Sequence, residues 1–152
     1  MKRFQFRLQS LLKYKRHLEQ VAKQEMAKAV ADVLACEQRI TQLQKERISA
    51  TDQLDVLVEQ GIGAGQFNRY RQFITGIDQT IILERNKKTE LEKILAEKRD
   101  ILKQKTIDKK SLERLREKQE REYIHEMLRE EQKGLDEIAS LKTAREVNNE
   151  HT

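Results

Sequence analysis

The chain has 152 residues, of which 38% are charged and 5% aromatic, with no tryptophan and no proline. So little apolar material excludes a large globular core, but it suffices for a coiled coil, which buries only a seam. The net charge of +5 is a small difference between 31 basic and 26 acidic residues, a balance that suits mixed, salt-bridged helix faces and argues against a nucleic-acid-binding tail.

No apolar run approaches the roughly 20 residues needed to span a membrane. The opening MKRFQFRLQSLLKYKR is positively charged but lacks a continuous apolar core and a small-residue cleavage site, so it does not read as a secretory signal. The single cysteine, Cys36, rules out an internal disulfide and fits a reducing cytoplasm.

Residues 1–20 are basic and amphipathic. Lys2, Arg3, Arg7, Lys13, Lys15 and Arg16 precede the first acid, Glu19. Phe4, Leu8, Leu11 and Leu12 share a helical stripe that Leu18 continues. Three readings stand: the end of a coiled coil with a basic outer face, a partner-binding helix anchored by Phe4, Phe6 and Leu8, and a membrane-surface helix. The basic residues do not keep to one face, which counts against the third.

Residues 21–58 carry the clearest periodicity. Ala22, Met26, Ala29, Val33, Cys36, Ile40, Leu43, Arg47, Ala50, Leu54 and Leu57 follow alternating steps of four and three, the mark of a left-handed coiled-coil seam. Arg47 is its only non-apolar member. Leu18, Ala22 and Met26 are two steps of four, so a register shift is expected there. Cys36 on this seam reads as a small core residue rather than a redox or metal site.

The break Gln60-Gly61-Ile62-Gly63-Ala64-Gly65-Gln66-Phe67-Asn68 holds three of the five glycines. Glycine costs roughly 1 kcal/mol in a helix interior relative to alanine, so Gly61, Gly63 and Gly65 should end one helix and hinge the next back upon it. Asn68 is positioned to cap the second helix. A phosphate-loop reading of Gly-x-Gly-x-Gly would need a preceding strand, and a helix precedes.

In residues 69–83, Tyr70, Phe73, Ile77 and Ile81 form one stripe with Ile74 beside it. Either both rows pack on Leu54 and Leu57, or the tip displays Phe73 and its neighbours to another protein. Gly76 inside this helix would permit close contact. Residues 84–122 are mostly charged and keep a thinner seam through Leu91, Ile94, Ile101, Leu112 and Leu115, with Lys98, Lys105 and Asp108 at seam positions.

Residues 123–147 regain an apolar face through Tyr123, Ile124, Met127, Leu128, Leu135, Ile138 and Leu141. The second helix outruns the first by roughly 40 Å at 1.5 Å per residue, so this face needs an external partner, or the helix breaks at Gly134 and folds back. The expected architecture is all-α: an antiparallel two-helix coiled-coil hairpin in a single domain spanning 1–152. Helix 1 covers about 5–59, the hinge 60–68 and helix 2 about 69–147, with an overhang of about 121–147.

No catalytic triad or metal cluster is visible, and a helical hairpin offers no pocket in which to perturb a pKa, so an enzyme is not expected, nor a cofactor. Glu122-x-x-His125 is half of a di-iron carboxylate motif without a second copy, and His17, His125 and His151 are scattered.

Three stretches together span most of the chain and carry a family resemblance. Phe4-x-Phe6-x-Leu8 with Leu11-Leu12 opens it, the glycine-rich break followed by Tyr70-x-x-Phe73-Ile74-x-x-Ile77 forms its middle, and Glu131-Gln132-Lys133-x-Leu135-Asp136-Glu137-x-Ala139 is the most specific part. The sequence resembles the FliJ family, soluble coiled-coil components of the bacterial flagellar type III export apparatus.

The resemblance implies a non-enzymatic stalk, cytoplasmic and peripheral at the inner face of the inner membrane. Its partners would be the hexameric export ATPase ring, the membrane export gate protein and export chaperones, with no nucleic acid and no small-molecule substrate. Flagellum assembly, and with it motility and chemotaxis, would depend on it. By position, Leu43, Tyr70, Phe73, Ile77, Thr80 and Glu84 would touch the gate. Phe4, Phe6, Leu8, Leu128, Leu135, Asp136 and Ile138 would touch the ATPase. The competing functions are the equivalent stalk of a virulence type III secretion system, a structural homodimeric coiled coil, and a basic nucleic-acid or membrane binder.

Overall fold

The computed structural model describes residues 3–150, so Lys2 and His151 lie outside the described residues. Two helices account for nearly all of it, α1 (Gln9–Gln60) and the longer α2 (Ala64–Glu150), and no strand is present among the described residues. By packing, the chain divides into two units, Leu18–Lys105 and Met1–His17 together with Thr106–Thr152.

The first unit is an antiparallel hairpin. Its direction follows from cross-helix ion pairs whose α1 numbers rise as their α2 numbers fall. Lys98 Nζ lies 3.3 Å from Glu25 Oε2, Lys88 Nζ lies 3.3 Å from Glu37 Oε1, and Arg47 pairs with Asp78. Exposed pairs of this kind add only tenths of a kcal/mol each, but together they disfavour slipped registers. Burial comes from the seam. Ala22, Ala29, Val33, Cys36, Ile40, Ala50 and Leu54 are buried on α1, and Ile74, Ile77, Ile81 and Leu95 on α2. Small residues face large ones: Ala29 and Val33 cluster with Leu95, and Ala50 and Leu54 with Ile74.

The seam departs from expectation at four places. Arg47 keeps its register position but not its burial. Its long stem lets the guanidinium swing out to Asp78, leaving both side chains nearly half exposed. No register shift occurs near residue 20: the buried row of α1 runs Leu12, Lys15, Glu19, Ala22, with Glu19 buried and Leu18 only half-buried beside it. Glu19 is tolerated there because Lys23 Nζ sits 3.2 Å from its carboxylate. On α2 the row is Tyr70, Ile74, Ile77, Ile81, not one through Phe73, which is exposed. Further along, Leu95 and Leu102 take the inward places expected for Ile94 and Ile101, which are exposed.

The break is narrower than 60–68. Only residues 61–63 lie outside the helices. Gly61 adopts φ +86°, the left-handed conformation that glycine takes without a Cβ penalty, and its N–H donates to the Val58 carbonyl at 3.2 Å. The Phe67 N–H donates to the Gly63 carbonyl at 3.1 Å, so Gly63 rather than Asn68 is the capping position, α2 starts at Ala64, and Gly65 lies within its first turn. Ile62 packs on the Ala50–Leu54–Ile74 cluster and closes the end of the seam. A Cβ built at Gly76 would meet nothing within 4 Å, so that glycine permits no close approach here.

In the second unit, α1 starts at Gln9, not near residue 5, and residues 3–6 are not helical. Phe4 therefore shares no helical stripe with Leu8. Instead its ring meets that of Tyr123, with centroids 5.7 Å apart. Phe6 is buried, its carbonyl accepting the Gln9 N–H at 3.1 Å, and Leu12 is wholly buried. Phe4 thus lies against Tyr123, whereas further along Lys15 Nζ lies 3.9 Å from Asp108 Oδ2 and Arg16 Nε 3.4 Å from Glu113 Oε1, so the two stretches again run antiparallel. Helix α2 passes unbroken through Gly134 and does not fold back.

Candidate functional site

Two surfaces offer contact, one in each unit. Near the break, the six residues named from the resemblance separate by burial. Ile77 is buried, Leu43 and Tyr70 are half-buried, and Phe73 and Thr80 are exposed. Thr80 Oγ donates to the Gly76 carbonyl at 2.9 Å, a bond within the helix. At 100° per residue Phe73, Gly76, Thr80 and Leu83 fall on one face. Leu83, 68% exposed, is an apolar residue on the same face as Phe73 that sequence reasoning missed. The spacing of Phe73 to Thr80 to Leu83, steps of seven and three, was the available signal.

Glu84 does something else. It lies across the seam from Cys36 and Arg39. The Arg39 Nε–H donates to its Oε2 at 3.3 Å, and Cys36 Sγ sits 3.3 Å from its carbonyl and 3.5 Å from Oε2. The Arg39 hydrogen bond holds the Glu84 carboxyl below the ordinary glutamate range, against the opposing effect of desolvation, with Cys36 helping. A depressed carboxylate pKa stabilises the fold above the unfolded value, about 4.3, and that contribution is lost as pH falls through the folded value. Glu84→Gln should therefore show a smaller drop in Tm than the parent between about pH 4.5 and about pH 3, in parallel calorimetric scans. Equal drops would mean that the Arg39 contact adds nothing in solution.

The other surface is the far part of α2. Ile124, Leu128, Leu135, Ile138, Leu141 and Val147 are all exposed, several by about 60%. Leu128, Leu135 and Ile138 were named from the resemblance; Leu141 matches them in exposure. Asp136 is exposed and accepts a hydrogen bond from Gln132 Nε2 at 3.1 Å. Of the N-terminal anchors, Phe6 is buried, Phe4 half-buried against Tyr123, and Leu8 exposed at 37%. The structure thus joins Phe4 to α2 but does not bring Phe6 to the surface.

No group of three or more histidine, cysteine or acidic side chains that could hold a metal ion occurs among the described residues. No helix among them is long and apolar enough to cross a membrane.

A family model described as "Flagellar FliJ protein" matches residues 4–148. The chain belongs to the FliJ family. The FliJ match covers both surfaces. The chain is also similar to the Flagellar FliJ protein of Bacillus subtilis (strain 168), at 24% identity over 143 residues, which is 90% of this chain and 92% of that one. No solved structure matches.

Proposed function

We propose that this FliJ-family chain is a non-enzymatic component of the flagellar protein export apparatus that links the export ATPase ring to the membrane export gate. In this reading the apolar row of Leu128, Leu135 and Ile138 binds the ATPase together with the N-terminal stretch, while the Phe73 face binds the gate. Export chaperones are further partners, and the protein works in the cytoplasm against the inner membrane. The observation that supports it is the exposed apolar row of 124–147, which covers no core and so gains stability only from a partner.

The test is a pull-down from cytosol and detergent-solubilised membranes. Leu135→Asp should lose the ATPase by about a hundredfold in affinity, the scale of a buried interface anchor, and keep the gate protein. Phe73→Ala should do the reverse. Both variants should keep full helicity by circular dichroism. Unchanged capture of both partners by both variants would reject the assignment of these surfaces.

A further inference from the structure

The exposed row of 124–147 is not a continuation of the seam that pairs α2 with the N-terminal stretch. In this unit the inward positions of α2 are Leu112, Arg116, Gln119 and Tyr123, all half-buried, in steps of four, three and four. Met127, one turn beyond Tyr123, is half-buried too, and steps of three and four from it reach Glu130, Gly134 and Glu137, none of which offers an apolar side chain. The apolar residues fall elsewhere. Ile124, Leu128, Glu131, Leu135, Ile138, Lys142 and Arg145 form their own unbroken row of fours and threes. That row is turned from the seam by roughly 100° about the helix axis. A lengthened N-terminal stretch, extending the existing pairing, would miss it.

The row also carries a charge pattern that fits one occupant. Its charged members are an acid, Glu131, toward one end and two bases, Lys142 and Arg145, toward the other. Laid parallel on a copy of itself, the row would set Glu131 on Glu131, Lys142 on Lys142 and Arg145 on Arg145, three repulsive layers. Laid antiparallel, it sets Leu135 of each copy against Ile138 of the other. Glu131 of each then opposes Lys142, and Leu128 lies along the Arg145 stem. The same register brings Leu141, 65% exposed, over Gly134, where a Cβ would meet nothing within 4 Å. Gly134 thus receives a neighbour's side chain in a helix interior where it otherwise only costs stability.

We infer that the 124–147 segment is a self-pairing surface whose occupant is the same segment of a second copy, antiparallel, with two Leu135–Ile138 layers at the centre and two Glu131–Lys142 pairs flanking them. Three heptads of two-helix pairing bury on the order of 1,000 Å² in total, at the weak end of specific interfaces, so the dimer is concentration-dependent. This inference stands on the row's own pattern and holds whether or not the ATPase assignment above is correct. If both hold, self-pairing and ATPase binding exclude each other.

Sedimentation equilibrium of the full chain tests it, from about 1 µM to about 200 µM, because a weak dimer follows mass action. The expected mass rises toward twice that of the monomer. Lys142→Glu and Glu131→Lys should each raise the dissociation constant at least about tenfold by creating two like-charge layers. The double variant carrying both changes should return to the parent value, since the exchange restores both pairs in the antiparallel register and in no parallel one. Circular dichroism should show equal helicity for all four proteins. A monomer at every concentration, or a double variant that stays as weak as the single ones, would overturn the inference.

Discussion

Ile77→Asp should lower the free energy of unfolding by about 3–5 kcal/mol, the scale of an uncompensated charge placed in a packed seam. Ile77 is 6% exposed and sits in the row with Ile74 and Ile81, where two helices leave no water to solvate a carboxylate. Phe73→Asp, four residues earlier at 58% exposure, should change stability by no more than about 0.5 kcal/mol. Urea denaturation followed by circular dichroism measures both. The contrast decides how the tip can be probed. A binding loss in an Ile77 variant would report unfolding, whereas one in a Phe73 or Leu83 variant would report contact. Similar costs for the two substitutions would mean that both residues pack in the seam.

Leu12→Ala should cost about 2–4 kcal/mol, the usual range for emptying a leucine site in a core that cannot collapse. Leu12 is the only leucine with no exposure among the described residues, and it belongs to the unit formed by the N-terminal stretch and the far part of α2. That unit contains few other fully covered apolar groups, so the loss should appear there first. Hydrogen exchange should show protection falling over residues 9–17 and 106–123 before it falls over 18–105. Leu18→Ala should cost less than about 1.5 kcal/mol, because the inward row passes through Lys15 and Glu19 and leaves Leu18 half-buried at its side. A Leu18 variant as damaged as the Leu12 variant would place the row through Leu18.

The same comparison explains why the N-terminal residues were the hardest to place from sequence. Phe4, Leu8, Leu11 and Leu12 have helical spacing, but α1 does not begin until Gln9. Spacing shows which residues would share a face if a helix formed; it cannot show that the backbone there is helical. Phe6 found a buried site from a non-helical stretch, which no periodicity predicts. Near the break, Phe73 and Ile74 are both one step from a heptad position, and only the cross-helix register selects Ile74.

By itself, the sequence determined that this is a two-helix protein with a glycine break and an α1 seam from Ala22 to Leu57. Those features follow from local chemistry: proline-free charged segments, steps of four and three, and glycine's access to the left-handed conformation that Gly61 takes. Only the tertiary structure decided which of two adjacent rows on α2 turns inward, that Arg47 leaves the seam for Asp78, and that Glu84 answers Arg39 and Cys36 across it. It also decided that the apolar row beyond Tyr123 lies on a face of α2 that the seam does not use. These depend on how one helix is rotated against its partner. That rotation is set by the sum of many small packing and ion-pair terms between residues far apart in the chain, which no local pattern contains.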